Sequence, residues 1–196
     1  MKSLPEPARA ILDFWFGAAS DSPERDRPRA VWFETDAAFD AALRERFLGD
    51  HERAHEGALG HWQLQRESCL ALLLLLDQLP RNLFRGTARA FASDARARAA
   101  ARHALERGFD RDMPPIHRWF FYLPFEHSED LADQGLSLRL HATLPDDEDK
   151  ASAMDWARRH YDIIARFGRF PHRNRVLGRI STPQEEAFLQ EPASAF

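Results

Sequence analysis

The sequence has little cysteine and little lysine, and it has no long hydrophobic run. Cys69 is the only cysteine in 196 residues, so no disulfide can form within the chain, and this usage suits a reducing compartment. The longest apolar run, from Cys69 to Leu76, is far shorter than the roughly 20 residues that cross a bilayer. Lys2 is not followed by an apolar run, so we expect no secretory signal. The sequence therefore predicts a soluble, cytoplasmic protein with no membrane partner.

The chain also lacks the excess of basic residues that nucleic-acid-binding proteins usually carry. Its 27 lysine and arginine residues stand against 31 aspartate and glutamate residues, which gives a formal net charge of −4. We therefore expect no nucleic-acid partner. Lysine occurs only at Lys2 and Lys150, so nearly every positive charge belongs to an arginine, whose planar guanidinium suits carboxylate and phosphate groups.

Signals for strands and for a phosphate-binding loop are absent as well. No segment of useful length alternates between apolar and polar residues, and no glycine-rich loop of the phosphate-binding kind occurs. Apolar residues instead recur at helical spacing, as at Phe39, Leu43 and Phe47. With 44% hydrophobic residues, a chain of this length can bury a sizeable core without a disulfide or a metal. We predict one all-α domain over residues 1–196, an array of about eight to ten helices, without a cofactor.

Residues that cap or end helices predict the boundaries of the elements. Glu67 to Gln78 is the most apolar segment and should form a central helix, which we expect Pro80 to end. Residues 18–28 and 109–115 are predicted loops, and the aromatic stretch at residues 119–123 is predicted to be a buried helical turn. The predicted N-caps are Asp36, Ser93, Ser128, Asp146 or Asp147, and Thr182.

The segment His51-Glu52-Arg53-Ala54-His55 matches the zinc metalloprotease pattern, in which two histidines one helical turn apart bind the metal and the glutamate acts as base. His61 even falls where a longer pattern has its third ligand. That longer pattern, however, needs a glycine where this chain has Ala58, and no methionine-containing turn follows. We therefore predict a solvated helix face rather than a metal site. Both histidines of the segment and its glutamate are expected to be dispensable and to bind no zinc.

Three long blocks carry a family resemblance. They are Leu70 to Asp94 (LALLLLLDQLPRNLFRGTARAFASD), Phe120 to Gln134 (FFYLPFEHSEDLADQ) and Arg166 to Leu189 (RFGRFPHRNRVLGRISTPQEEAFL). Together with the opening DFWFG at residues 13–17, they resemble the bacterial family known as domain of unknown function 924. The resemblance implies a helical fold of the tetratricopeptide-like kind, and it supplies no established activity or catalytic residues. The stretch with His51, His55 and His61 is not part of that family pattern.

Each block places polar side chains beside the most apolar parts of the chain, near predicted helix ends, where orphan backbone groups add to them. We predict that the three blocks converge on one polar pocket, whose centre would be Asp77, Arg81, His127, Glu129, Arg166 and Arg173. The candidate ligand-binding residues are Asp77, Gln78, Arg81, Asn82, Arg85, His127, Glu129, Arg166, Arg169 and Arg173. Such a mixture of groups suits an anionic small molecule or a peptide terminus.

Three classes of function stay open from the sequence. A binding module would hold an anionic small molecule or a peptide. An enzyme of the hydrolase type would use His127 and Glu129 as acid and base. A structural or assembly protein would use only its exposed apolar surface, and the same polar residues would then form a scaffold, with Asp77 and Arg81 as an ion pair. The sequence assigns neither a reaction nor an oligomeric state, and Cys69, beside a leucine run, is expected to be an inert buried thiol.

Overall fold

The described residues form helices that are joined by turns and loops. The computed structural model describes residues 3–17, 27–192 and 194, and these contain no β-strand. The α-helices are α1 (Glu6–Phe16), α2 (Ala37–His55), α3 (Arg66–Leu73), α4 (Leu79–Leu83), α5 (Asp94–Glu106), α6 (Pro115–Glu126), α7 (Leu131–His141), α8 (Glu148–Phe167) and α9 (Pro183–Phe188). Because a π-helical turn joins α3 to α4, the described part of the chain has eight separate helices. The prediction of an all-α fold is confirmed.

The chain divides into two compact units. The first unit comprises Met1–Arg85 and Arg89–Pro124, and the second comprises Gly86–Ala88 and Phe125–Phe196. That one domain spans the chain stays a prediction. None of the described helices combines the length and the apolar character needed to cross a bilayer.

The core of the first unit is built on the apolar helix α3 and on aromatic side chains. Residues 69–76 are all buried, and burial raises the pKa of the Cys69 thiol to about 12, which makes it a poor nucleophile. Helix α1 buries the indole of Trp15, which stacks on Trp32 with 6.0 Å between ring centroids. Phe120 of α6 packs edge-on against the same Trp32 at 5.1 Å. The central position predicted for the leucine run is therefore correct.

Pro80 does not end this helix, contrary to the sequence-based expectation. The chain makes a π turn over Leu74–Gln78 and continues as α4, with Pro80 in its first turn. The wider turn brings the Leu79 N–H to the Leu74 carbonyl, five residues back. Proline has no N–H for the carbonyl of Leu76, four residues before it. The helix therefore continues through the proline, but the carbonyls of Leu75 and Leu76 lose their usual α-helical donors.

Two side chains from elsewhere in the first unit donate hydrogen bonds to these carbonyls. The Nδ1 atom of His51 lies 2.8 Å from the Leu75 oxygen, and the Ser93 hydroxyl donates to the Leu76 oxygen at 2.5 Å. Ser93 stands at the N-cap position of α5, as predicted, but its hydroxyl makes no capping hydrogen bond. Buried carbonyls without donors are costly, and this explains why the hydroxyl serves the π turn rather than its own helix.

The other predicted caps are mostly correct. Asp36 accepts from the Ala38 and Phe39 N–H groups, and Asp147 and Thr182 cap α8 and α9. Ser128 is the exception, because Asp130 caps α7 and the Ser128 hydroxyl donates to Asp133 at 2.8 Å. The competing acceptor Asp133 lies within the first turn of α7 itself.

The aromatic stretch at residues 119–123 is helical, as predicted, and forms the middle of α6. Pro124 lies within α6 rather than after it, and the predicted loop 109–115 ends where α6 begins, at Pro115. The predicted loop 18–28 falls mostly on residues 18–26, which lie outside the described residues. In the second unit, the apolar stripe of α8 buries Ile163 and Ile164 in a cluster with Phe170 and Phe188.

Candidate functional site

The polar residues predicted from the first block lie in the first unit, in two ion-pair networks. In the acid–arginine network, Arg81 joins the buried Asp77 of the π turn, 3.3 Å away, to Asp94 of α5. The two terminal nitrogens of Arg81 contact the two Asp94 oxygens at 3.1 and 3.2 Å. Gln78 donates to the other Asp77 oxygen at 2.6 Å. Both terminal nitrogens of Arg81 are thus committed to protein oxygens.

The two carboxylates secure the positive charge of Arg81. Burial alone would lower the pKa of Arg81. The carboxylates of Asp77 and Asp94 have the opposite effect and outweigh burial, and the pKa of Arg81 is therefore raised. In the second network, Asn82 and Arg85 both reach Asp40 of α2, at 2.8 Å and 3.0 Å. In each network an arginine thus joins its own segment to a carboxylate of another helix, Asp94 of α5 or Asp40 of α2.

The zinc-like segment at the end of α2 makes contacts with other segments of the first unit. His51 is 3% exposed, so the prediction of a solvated face is wrong for this residue, because its ring is needed under the π turn. Since a carbonyl can only accept, the Nδ1 of His51 carries the proton that it donates to Leu75. Glu52 accepts from Arg89 at 2.5 Å. Among the described residues, no group of three or more His, Cys, Asp or Glu side chains is arranged to hold a metal ion.

In the second unit, basic side chains surround the buried ring of Phe170. We call His127, His160, His172 and Arg173 the imidazole cluster. The ring of Phe170 lies 5.5 Å from that of His160 and 5.6 Å from that of His172, and the Arg173 guanidinium stands 4.3 Å from its centroid. The rings of His127 and His160 are 6.1 Å apart. Three nitrogen-rich side chains therefore meet around one aromatic ring, and His127 joins them through its contact with His160.

The turn after α6 is held by side chains that bond its carbonyls. Arg173 donates to the His127 oxygen at 3.0 Å. The side-chain amide of Gln134 donates to the backbone carbonyl oxygens of Glu126 and Ser128, at 2.6 and 2.7 Å. Three successive carbonyls after the last turn of α6 thus have side-chain donors, and the position of His127 is fixed by its own backbone.

A buried carboxylate, Glu126, lies at the base of the cluster, between two buried histidines. One of its oxygens is 3.2 Å from His160 Nδ1, and the other is 3.9 Å from His141 Nε2. The Nδ1 atoms of His160 and His141 also face helix carbonyls, those of Trp156 at 2.9 Å and Ser137 at 3.0 Å. Each neutral ring therefore carries its proton on Nδ1 and leaves a lone pair on Nε2.

Both of these histidines are held in the neutral form. Burial lowers the pKa of His141 to about 4, although its bond to Ser137 acts in the opposite direction. The pKa of His160 is lowered well below 6.5, first by burial and then by the positive fields of His127, Arg173 and His172. The other members of the cluster thus bear directly on the charge of His160.

Glu129 lies beside the cluster in a tight ion pair. Its two oxygens accept from the two terminal nitrogens of Arg179 at 2.7 and 2.9 Å, and one also accepts from the Phe170 N–H at 2.8 Å. Burial would raise the pKa of Glu129, but the bonds from Arg179 and Phe170 outweigh it and lower that pKa. A carboxylate so stabilised as the anion is a poor general base.

The two remaining arginines of the predicted set differ from each other. Arg169 makes a bidentate pair with the buried Glu185, at 2.6 and 2.7 Å. Arg166 is exposed and stands over Phe167 and Phe188, with its guanidinium carbon 4.6 and 5.7 Å from their ring centroids. Arg166 is therefore part of the surface above the α8–α9 core rather than a member of the cluster.

The structure groups the predicted residues unit by unit. Asp77, Gln78 and Arg81 meet in one network of the first unit, and His127 and Arg173 meet in the second. That both groups share one pocket stays a prediction. Sequence reasoning missed Glu126, His141, His160, His172 as a cluster member, Arg179, Asp40 and Asp94. Glu126 precedes His127, and both His172 and Arg179 lie in the third block, so the sequence carried a signal for these three residues. His141 and His160 stand in helices without any such signal.

The sequence pattern of the family described as bacterial protein of unknown function (DUF924) matches residues 11–193. The chain belongs to that family. It is also similar to a solved structure, that of the protein of unknown function ATU0120 from Agrobacterium tumefaciens, with 44% identity over 93% of this chain and 96% of that chain and a TM-score of 0.81. No curated protein matches the chain significantly. The resemblance found in the three blocks is confirmed, and neither match names an activity or a ligand.

Proposed function

We propose that the protein binds a small oxyanion, the phosphate or carboxylate group of a small molecule or peptide, at the imidazole cluster. The observation that carries this proposal is the meeting of His160, His172 and Arg173 around Phe170, with His127 packed against His160. Guanidinium and imidazolium groups are the donors that proteins use for phosphate and carboxylate, because their hydrogen bonds are assisted by charge.

Two of the nearby carboxylates leave the positive charge of the cluster in place, because arginines already neutralise them. Glu129 is held by both terminal nitrogens of Arg179, and Glu185 is held in the same bidentate way by Arg169. Glu126 is buried among histidines. The fields of Arg173 and the neighbouring histidines act on His160 as positive fields, and a positive field favours an anion.

Access from solvent is consistent with a binding role. His127 and His172 are half-buried, whereas His160 and Arg173 are buried. The site that we propose therefore combines two rings that solvent reaches in part with a buried guanidinium, which donates to the His127 carbonyl. Partial removal from water strengthens such charge-assisted bonds.

Thermal unfolding in the presence of sulfate, phosphate, acetate and succinate tests the proposal. We expect a saturable rise in melting temperature for wild type. Replacing Arg173 by glutamine removes one charged donor and should weaken the apparent affinity about 10- to 100-fold. Arg175 is an exposed arginine of the same segment, so Arg175→Gln is the matched control and should leave the affinity unchanged.

A second variant separates binding from folding, because Arg173 also supports the His127 carbonyl. His172→Gln keeps that support and should still weaken the response to anions. The absence of a saturable response in wild type, or an equal loss in Arg173→Gln and Arg175→Gln, would contradict the proposal.

A second candidate function is proton transfer by an enzyme of the hydrolase type. It is favoured by the contact of 3.2 Å between Glu126 and His160 Nδ1, since a carboxylate beside an imidazole stabilises the protonated ring that proton transfer forms. The Glu126–His160 pair is a different pair from His127 and Glu129, which the sequence suggested as acid and base. Glu129 is a poor base because Arg179 stabilises its anionic form. Hydrolysis of a panel of esters and phosphoesters by wild type, with loss in Glu126→Gln but not in the exposed-site control His61→Gln, would support it; a rate equal to that of the buffer would exclude it for that panel.

A further inference from the structure

We infer that the binding of an oxyanion at the imidazole cluster is coupled to the uptake of one proton by His160. This inference rests on the proposed function and adds the way in which solution pH controls the same site. It follows from where His160 lies and from which groups face it.

His160 is buried beside charged or chargeable groups from several elements of the second unit. From α6, Glu126 faces its Nδ1 at 3.2 Å, and the same carboxylate faces His141 of α7 on its other oxygen. After α6 comes His127, whose ring lies 6.1 Å from that of His160. The 3-10 helix Pro171–Arg173 contributes His172 and Arg173.

The positions of the protons decide what His160 can accept. Its Nδ1–H is directed to the Trp156 carbonyl at 2.9 Å, so the lone pair of the neutral ring is on Nε2. Without an anion, burial and the positive groups nearby keep the ring neutral. An oxyanion at the cluster offsets those positive groups and attracts positive charge to the ring. A proton then passes from the buffer to Nε2, and no covalent bond forms or breaks.

Thermodynamic linkage turns this into a measurable quantity. If binding takes up a proton, lower pH must tighten binding, and the anion must raise the proton affinity of the ring by the same factor. Affinity should change by up to about tenfold per pH unit for one proton taken up. A site built only from permanent arginine charges would have no such dependence near neutral pH.

Titration calorimetry with sulfate provides the test. Sulfate does not titrate near neutral pH, so any proton taken up must go to the protein. Repeating the titration in buffers of different ionisation enthalpy gives the number of protons from the slope of the observed heat. We expect an uptake of about half to one proton at pH 7, and an affinity that rises as the pH is lowered.

Variants assign the proton to its residue. His160→Gln should retain sulfate binding, though weaker, and lose the uptake. The matched control His61→Gln alters an exposed histidine of the first unit and should keep both. Circular dichroism and melting temperature establish that each variant is folded, and the wild-type slope needs no variant at all.

The outcomes separate the two proposals. Sulfate binding with no proton uptake would overturn the inference and leave the proposed function standing. Uptake that survives in His160→Gln and disappears in His127→Gln or His172→Gln would overturn the assignment to His160. If neither sulfate nor phosphate binds wild type, the proposed function is wrong and the coupling goes with it.

Discussion

The acid–arginine network of the first unit and the imidazole cluster of the second unit both place ionisable groups beside apolar helices, but their charges behave differently. Arg81 stays charged at neutral pH, since the carboxylates of Asp77 and Asp94 raise its pKa. In the second unit, His141 and His160 are held neutral by burial, and each ring can become charged by taking up a proton. Fixed charges in fixed geometry favour a scaffold, whereas rings that can change charge favour a response to a ligand or to pH.

The two regions share one structural cause. In each, a helix ends or distorts at depth and leaves carbonyls without helical donors. His51 and Ser93 serve the π turn of the first unit, and Gln134 and Arg173 serve the turn after α6. Some of the buried polar side chains near apolar helices are therefore needed to donate hydrogen bonds to backbone carbonyls. A ligand site needs polar groups in addition to those that make these bonds.

Removal of Arg81 should produce the largest effect. Arg81→Met leaves the buried Asp77 and the mostly buried Asp94 without the cation that lies between them, and it should cost about 3–5 kcal/mol of unfolding free energy. Denaturation by urea measures the loss. The matched control Arg85→Met removes a more exposed arginine, paired with Asp40, and should cost about 0–1 kcal/mol.

The same variant also tests whether the sequence-predicted pocket includes both groups. If Arg81→Met still responds to sulfate as wild type does, after allowance for its lower melting temperature, the acid–arginine network is a scaffold alone. A loss of the sulfate response as large as that of Arg173→Gln would favour one shared pocket and would remove the distinction drawn between the two regions.

The pH dependence of stability should reveal the neutral histidines of the second unit. The pKa of His141 is about 4 in the folded protein, against 6.5 ordinarily, so the unfolded chain binds a proton first as pH falls. Stability is therefore complete above pH 6.5 and is lost between pH 6.5 and 4, by about 3 kcal/mol for this residue. His160 acts in the same direction.

Urea denaturation from pH 7.5 to 4.5 checks this expectation. His141→Gln should flatten the fall in stability, because the variant has no ring to protonate. The exposed His61 makes His61→Gln the control, which should follow the wild-type profile. Parallel profiles for wild type and His141→Gln would mean that His141 is protonated equally in both states, contrary to its burial.

A smaller effect should distinguish the two histidines of the zinc-like segment. His51→Leu leaves the buried Leu75 carbonyl without its side-chain donor, and it should cost about 1–3 kcal/mol, whereas His51→Asn retains a donor and should recover part. For the half-buried His55, His55→Leu should change stability by less than about 0.5 kcal/mol. Metal analysis of untagged protein completes the test: one equivalent of zinc, lost in a His51→Ala, His55→Ala double variant, would restore the metal interpretation.

The fold was largely predictable because helical spacing and helix caps are local signals. The capping box at Thr182 and the caps at Asp36 and Asp147 depend only on neighbouring residues, and the structure contains them as expected. Pro80 and Ser93 were misjudged because their roles depend on each other across 13 residues of chain. A proline can stay inside a helix only if something else bonds the carbonyls that it affects, and no local pattern indicates that partner.

The candidate site was predictable only in part, for a related reason. His127 and Arg173 were found because they stand in long blocks with costly polar residues. His141 and His160 stand on α7 and α8, where a histidine is an ordinary helix residue. Only the fold brings their rings to the two oxygens of Glu126. Spacing within one helix cannot predict a cluster whose members come from separate elements.

The smallest expected effect concerns the pair that supports the centre of the cluster. Glu129 and Arg179 are joined by two hydrogen bonds, and their side chains are 29% and 24% exposed. A double-mutant cycle with Glu129→Gln and Arg179→Gln should give a coupling energy of about 0.5–1 kcal/mol. The exposed pair Asp155–Arg158 of α8 is the control and should give no measurable coupling.

The effect of this pair on binding should be smaller still and indirect. Glu129 accepts from the Phe170 N–H, so Glu129→Gln loosens the ring around which the cluster is arranged, while every basic group of the cluster remains. Sulfate affinity should therefore fall only about two- to threefold, and the number of protons taken up should not change. If Glu129→Gln instead tightened sulfate binding strongly, the negative charge of Glu129 would be acting on the site despite Arg179, and the cluster would be less positive than its contacts indicate.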